Sequence, residues 1–233
     1  MCGRSSLTKT EKELEERFNA TFYSEDLERY NPLPNYNVAP THYMPVITNK
    51  DPIHFNVYRW GLIPFWAKDE KIGSSMINAR IETIQEKATY KNTFQNKRCL
   101  VPMDGFYEWK KDGKQKVPFR IITKDQEVFS VAGMWEHWKN PSGLDIYTYT
   151  VITLPANEKM SELHDRMPAI LPKENESLWI NEDLTRDDAL SLLQPYPSDL
   201  IDYYEVSNKV NSVRENEESL VKPVISTIQT KLF

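Results

Sequence analysis

The sequence predicts an α+β fold: a single β-rich domain over residues 1–233, built on a central, mainly antiparallel, barrel-like sheet with peripheral helices. Three observations predict it. Segments rich in β-branched and aromatic residues recur at 54–60, 99–103, 118–123, 127–135, 146–154 and 167–172. Helical spacing is confined to short stretches between or before them. No internal repeat, low-complexity tract or long linker interrupts the 233 residues, a length suited to one large domain.

In chain order, Thr8 and Glu11 stand at capping-box spacing, and Leu14 and Phe18 lie one turn apart, which predicts a helix over 8–20. Asn31-Pro32-Leu33-Pro34-Asn35 is loop chemistry. Val128–Gly133 and Tyr147–Ile152 are the clearest strands, and Lys139-Asn140-Pro141-Ser142-Gly143 between them predicts a hairpin turn. Shorter helices are expected over 87–97, 157–163, 174–180 and 185–193. Six Trp, twelve Tyr and nine Phe supply enough large apolar surface for a core without staples.

Cys2 and Cys99 are the only cysteines, which excludes a disulfide framework and a four-thiolate metal site and suits a reducing cytoplasm. The four histidines show no metal-ligand spacing, so neither metal nor cofactor is expected. No stretch approaches the ~20 apolar residues of a membrane span, and the opening residues do not resemble a signal peptide. The formal net charge of −5 is unevenly spread. Nine bases oppose four acids between Glu86 and Arg120, whereas twelve acids oppose four bases between Lys173 and Glu218. The plainer account of this polarity is two solvated faces; the sharper one is a partner-binding face and its opposite.

The amino terminus carries the strongest chemical signal. Cys2-Gly3 is the small-residue start from which an initiator Met is removed, leaving an α-amine and a thiol on adjacent carbons. The α-amine has a pKa of about 7.7–8.0, so much of it is free base near neutrality. Such an amine adds to an aldehyde to give an imine, and the thiol then closes on the imine carbon to give a thiazolidine. The plainer alternative is an incidental cysteine in a frayed terminus.

Seven blocks extend the signal along the chain: Met1-Cys2-Gly3-Arg4, Tyr36–Pro40, Trp60–Trp66, Ile77–Thr83, Arg98–Trp109, His164–Pro168 and Val206–Asn211. Together and in this order they resemble the SOS response-associated peptidase (SRAP) family. The resemblance implies a single SRAP-type domain that crosslinks covalently to abasic sites in single-stranded DNA through Cys2. It also implies that the lesion is shielded during the DNA damage (SOS) response. The family's peptidase label reflects autocatalytic removal of the initiator Met rather than a second protein substrate. The expected protein is therefore a monomeric, cytoplasmic DNA-repair factor with lyase-like Schiff-base chemistry.

Residue roles follow from the same matches. Glu108, flanked by aromatics, matches the family's catalytic Glu, and an apolar setting raises a carboxyl's pKa into the range useful for proton transfer. His164 matches the active-site His that would donate to the sugar oxygen as the ring opens. Asn78 matches the active-site Asn, expected to hold the sugar or the Cys2 backbone. Arg80 shares a strand face with Asn78 by its spacing, as Arg4 does with Cys2; either grips a flanking phosphate or anchors a carboxylate such as Glu82. Trp60, Trp66 and Trp109 are chiefly core by the usual fate of large aromatics, though one such as Trp60 could stack on a base, and Pro64 and Phe65 mark a loop tip that could fill the space of a missing one. Cys99, in an apolar strand, is expected to be a structural thiol. The 86–120 bases would follow phosphates around the lesion.

Two other classes compete. Glutamine amidotransferases with an N-terminal nucleophile also begin Met-Cys-Gly, but they need an Asn-Gly oxyanion pair that this sequence lacks. A non-covalent single-stranded DNA-binding protein would leave Cys2 incidental. A thiol protease built on Cys99 and His164 is a more distant third.

Overall fold

A computed structural model describes residues 2–24 and 30–224; Met1, whose removal the amino-terminal chemistry requires, lies outside the described residues. The chain opens with strand β1 (Ser5–Leu7), helix α1 (Glu11–Phe18) and β2 (Thr21–Phe22), followed by β3 (Asn35–Val38), β4 (Tyr43–Thr48) and β5 (Asp51–Trp60). After a long excursion come β6 (Asn78–Arg80), α2 (Ala88–Asn96), β7 (Arg98–Met103), β8 (Gly105–Asp112) and β9 (Gln115–Thr123). The long hairpin β10 (Phe129–Lys139) and β11 (Asp145–Pro155) leads to α3 (Glu158–Ser161), β12 (Arg166–Pro168) and β13 (Ile170–Leu171). Helices α4 (Lys173–Trp179) and α5 (Arg186–Ser191) precede β14 (Ile201–Glu205).

The larger sheet closes on itself. Strands run β11-β10-β7-β4-β5, and β5 returns to β11 through the parallel pairs Thr148↔Arg59 and Tyr149↔Trp60. The expected barrel is thus a closed ring of five strands, filled by Val46, Trp60, Val101, Tyr149 and Val151 among others. Every other pairing in the ring is antiparallel. A second sheet, β14-β9-β8-β1-β3, lies beside it and carries the amino terminus.

The capping box of α1 is one of several places where the structure moves the boundary. Thr10 caps the helix and Glu13 reaches back to the Thr10 amide, instead of the predicted Thr8 and Glu11. Thr8 is held by the Asp104 carboxylate, which also accepts from Ser6 Oγ at 2.6 Å. That carboxylate is in turn bound by Arg120 at 3.0 Å, so a buried ion pair fixes β1 against the start of β8.

Candidate active site at the amino terminus

β1 pairs antiparallel with β8 through Ser5↔Phe106 and Ser6↔Gly105. The register continues toward the terminus, where the Tyr107 amide donates to the Arg4 carbonyl at 2.9 Å. Walking back along β1 therefore moves forward along β8, and Cys2 arrives beside Glu108. Cys2 is fully buried. Burial pushes its thiol well above the ordinary thiol range, and the nearby Glu108 charge adds to the effect.

Asn78 enters from the other sheet. β6 runs parallel to β11 through Val151↔Asn78, which aims the Asn78 Nδ2 at the Cys2 carbonyl; it donates there at 2.9 Å. The Asn78 Oδ1 is buried and accepts no hydrogen bond among the described residues. Glu108 is itself 4% exposed, and burial raises its carboxyl above the ordinary value while the neighbouring His164 pulls it partly back. His164 closes the turn after α3: its amide donates to Met160 O, and its Nδ1 accepts from the Arg166 amide at 3.0 Å. In the neutral ring that bond leaves the proton on Nε2. Asp165 Oδ1, 2.8 Å from the same Nδ1, offers an acceptor once the ring is doubly protonated.

Glu108 and His164 face a cleft of about 500 Å³ whose walls are Trp109, Lys111, Lys116 and Asn211. Cys2, Asn78, Glu108 and His164, scattered through 163 positions of sequence, are thus neighbours, with Glu108 and His164 lining the cleft.

The predicted DNA contacts are sorted differently. Trp60 is fully buried, donates its indole N–H to Ile77 O at 3.0 Å and stacks on Tyr149, so it is a barrel-core residue and not a base platform. Pro64 is buried too, and the exposed tip is Phe65 and Trp66, 67% and 54% exposed. Arg4 is committed to protein partners: its Nη1 donates to Asn37 Oδ1 at 2.7 Å and to Val210 O at 2.6 Å. Arg80 is exposed and makes no ion pair within 4 Å among the described residues. The anchor for Glu82 is neither of these but Arg166, which grips it bidentately. Cys99 is buried in β7 as expected.

The basic 86–120 segment is not one surface. Arg98 is buried, donating to the carbonyls of Phe94, Gln95, Trp179 and Asn181, and Arg120 belongs to the Asp104 pair. Lys97 is bound to the buried Glu136. The sequence assigned Lys111, Lys116, Arg166 and Asn211 no individual role, and it placed Trp66 chiefly in the core, whereas Trp66 is exposed. Their signal lay in position: Arg166 and Asn211 fall inside the His164–Pro168 and Val206–Asn211 blocks, and Trp66 ends the Trp60–Trp66 block.

The structure thus gathers a buried thiol, a carboxyl and an imidazole beside a closed barrel, with the carboxyl and the imidazole lining one cleft. The family described as SOS response associated peptidase (SRAP) matches residues 1–213, and the chain belongs to it. Among relatives, Abasic site processing protein YoqW of Bacillus subtilis (strain 168) is 45% identical over 225 residues, covering 95% of this chain and 99% of that protein. Abasic site processing protein HMCES of Xenopus tropicalis is 34% identical over 237 residues, covering 87% of this chain and 69% of that one. A crystal structure of a Bacteroides thetaiotaomicron protein superposes with a TM-score of 0.89 at 30% identity, covering 96% of this chain and all of that one.

Proposed function

We propose that this chain processes abasic sites in single-stranded DNA by crosslinking to them through Cys2. With Met1 removed, the Cys2 amine attacks C1′ of the ring-opened deoxyribose. The carbinolamine loses water to give an imine, and the Cys2 thiol adds across the C=N bond, its proton passing to nitrogen. One C–N and one C–S bond form and one water leaves. The high thiol pKa favours this order, because a protonated thiol is a poor first nucleophile while the amine is partly free base.

The observation that carries the proposal is the clustering of Cys2 and Asn78 with Glu108 and His164, the last two lining one cleft. Glu108, deprotonated, accepts a proton from the ammonium and returns it to the departing hydroxyl. His164 Nε2–H donates to the ring oxygen as the hemiacetal opens. Asn78 fixes the Cys2 carbonyl, and its Oδ1 is an acceptor for the new amine. The names of the curated relatives support the substrate class.

Intact mass spectrometry after mixing with an abasic single-stranded oligonucleotide tests it. The expected species lacks Met1 and gains the oligonucleotide mass minus one water. Active protein that retains Met1 overturns the mechanism. Cys2→Ala should abolish the denaturation-resistant band while binding persists; a band that survives would make Cys2 incidental.

A further inference from the structure

Six lysines of the 86–120 segment remain exposed once its buried and paired cations are removed, and two of them stand together. Lys111 and Lys116 are direct partners across the antiparallel β8–β9 pair. Trp109, two residues before Lys111, shares its face of the strand. Both lysines are exposed, neither pairs with an acid among the described residues, and both line the cleft that holds Glu108 and His164.

Like charges directly opposite on a sheet destabilise the pair, and such positions ordinarily carry opposite or neutral partners. Here the repulsion is directed at a cleft lined by Glu108, the neighbour of the amine-bearing residue. A doubly cationic lip beside an aldehyde trap calls for an anion attached to the aldehyde. Building on the crosslinking reading, we propose that Lys111 and Lys116 form a phosphate clamp for the abasic nucleotide itself. On this view the hairpin recognises the phosphate borne by the lesion sugar and seats C1′ toward Cys2, while phosphates farther along the strand belong to other groups such as Arg80.

The test compares thiazolidine formation with 2-deoxyribose, 2-deoxyribose 5-phosphate and 2-deoxyribose 3-phosphate, read by intact mass. Wild-type protein is expected to prefer one phosphorylated sugar over deoxyribose, which tells which side of the sugar the clamp holds. In Lys111→Gln/Lys116→Gln that preference should fall about fivefold, the scale of two exposed charge interactions. For abasic oligonucleotide binding, the log affinity–log salt slope should flatten by about 0.7, the value for one single-strand phosphate no longer neutralised. Lys110→Gln/Lys114→Gln makes the same charge change on the same hairpin away from the cleft; screening at ordinary ionic strength should hold its effect on the preference to about twofold.

A preference unchanged in the Lys111/Lys116 variant overturns the clamp, even if the slope flattens, because the lysines then serve a distant phosphate. An equal loss in the Lys110/Lys114 variant also overturns it, as a general field effect. If wild-type protein forms no adduct with any sugar, the covalent reading fails. The clamp falls with it, and the salt slope then tells only whether the two lysines meet a phosphate of the strand at all.

Discussion

Glu108 shows how one residue sets function against stability. Its carboxyl is buried and held above its ordinary value of 4.5, so the folded protein keeps that proton to higher pH than the unfolded chain. Stability from this group is therefore greatest below 4.5 and falls as pH rises through the folded value. Glu108→Gln should raise the thermal midpoint at neutral and alkaline pH, the gain vanishing in acid where Glu108 is itself neutral. Crosslinking should be lost at every pH. A thermal melt series over pH, run beside the crosslinking assay, checks both. The two tryptophans that bracket the Trp60–Trp66 block make a second contrast. Trp60→Ala should cost about 3–5 kcal/mol in urea unfolding, as for large aromatics removed from a core. Trp66→Ala should leave the midpoint in place and weaken abasic oligonucleotide binding by about 1–3 kcal/mol, the value of one stacked base.

Among the elements, the segment that follows β14 matters most for the cleft. Asn37 in β3 is buried, and its Nδ2 donates to Ser212 O at 2.9 Å and Glu215 O at 2.8 Å while its Oδ1 accepts from Arg4. The pinned segment presents Asn211, whose Oδ1 accepts from the Trp109 indole at 2.7 Å. Asn37→Ala should cost about 1–3 kcal/mol, since several buried groups lose a partner at once. Faster proteolysis within 206–224 is the local sign of it. Sequence periodicity found β7, β10 and β11, buried on both faces, because continuous β-branched and aromatic runs announce them, but not the equally buried β4, whose run Pro45 interrupts. It missed β8, whose second half Lys110-Lys111-Asp112 looks like a charged loop and pairs only because β9 lies beside it. It also missed β1 and β14, short strands made by tertiary partners rather than by their own composition.

At the scale of the whole molecule, the charge asymmetry of the sequence is real, but part of its basic half is structural. Lys97, Arg98 and Arg120 are held by buried carbonyls and carboxylates, and what remains for a partner is the exposed lysines of that segment together with Arg80. The four site residues were legible because the motif blocks named them. Their geometry was not, since it depends on a register that brings β1 alongside β8 and on a parallel pair that sets β6 against β11. The closure of the barrel has a further consequence. β11 receives β5 at Thr148–Tyr149 and β6 at Val151–Thr153, so the excursion carrying Phe65 and Trp66 leaves and rejoins the body at neighbouring rungs of one strand. Its neck is narrow: a Cβ on Gly61 would lie 2.6 Å from the Gly73 carbonyl oxygen, at a φ of +117°. A loop hung this way behaves like the tab of a zip, free to change length or chemistry at its tip while the teeth that hold Asn78 stay engaged.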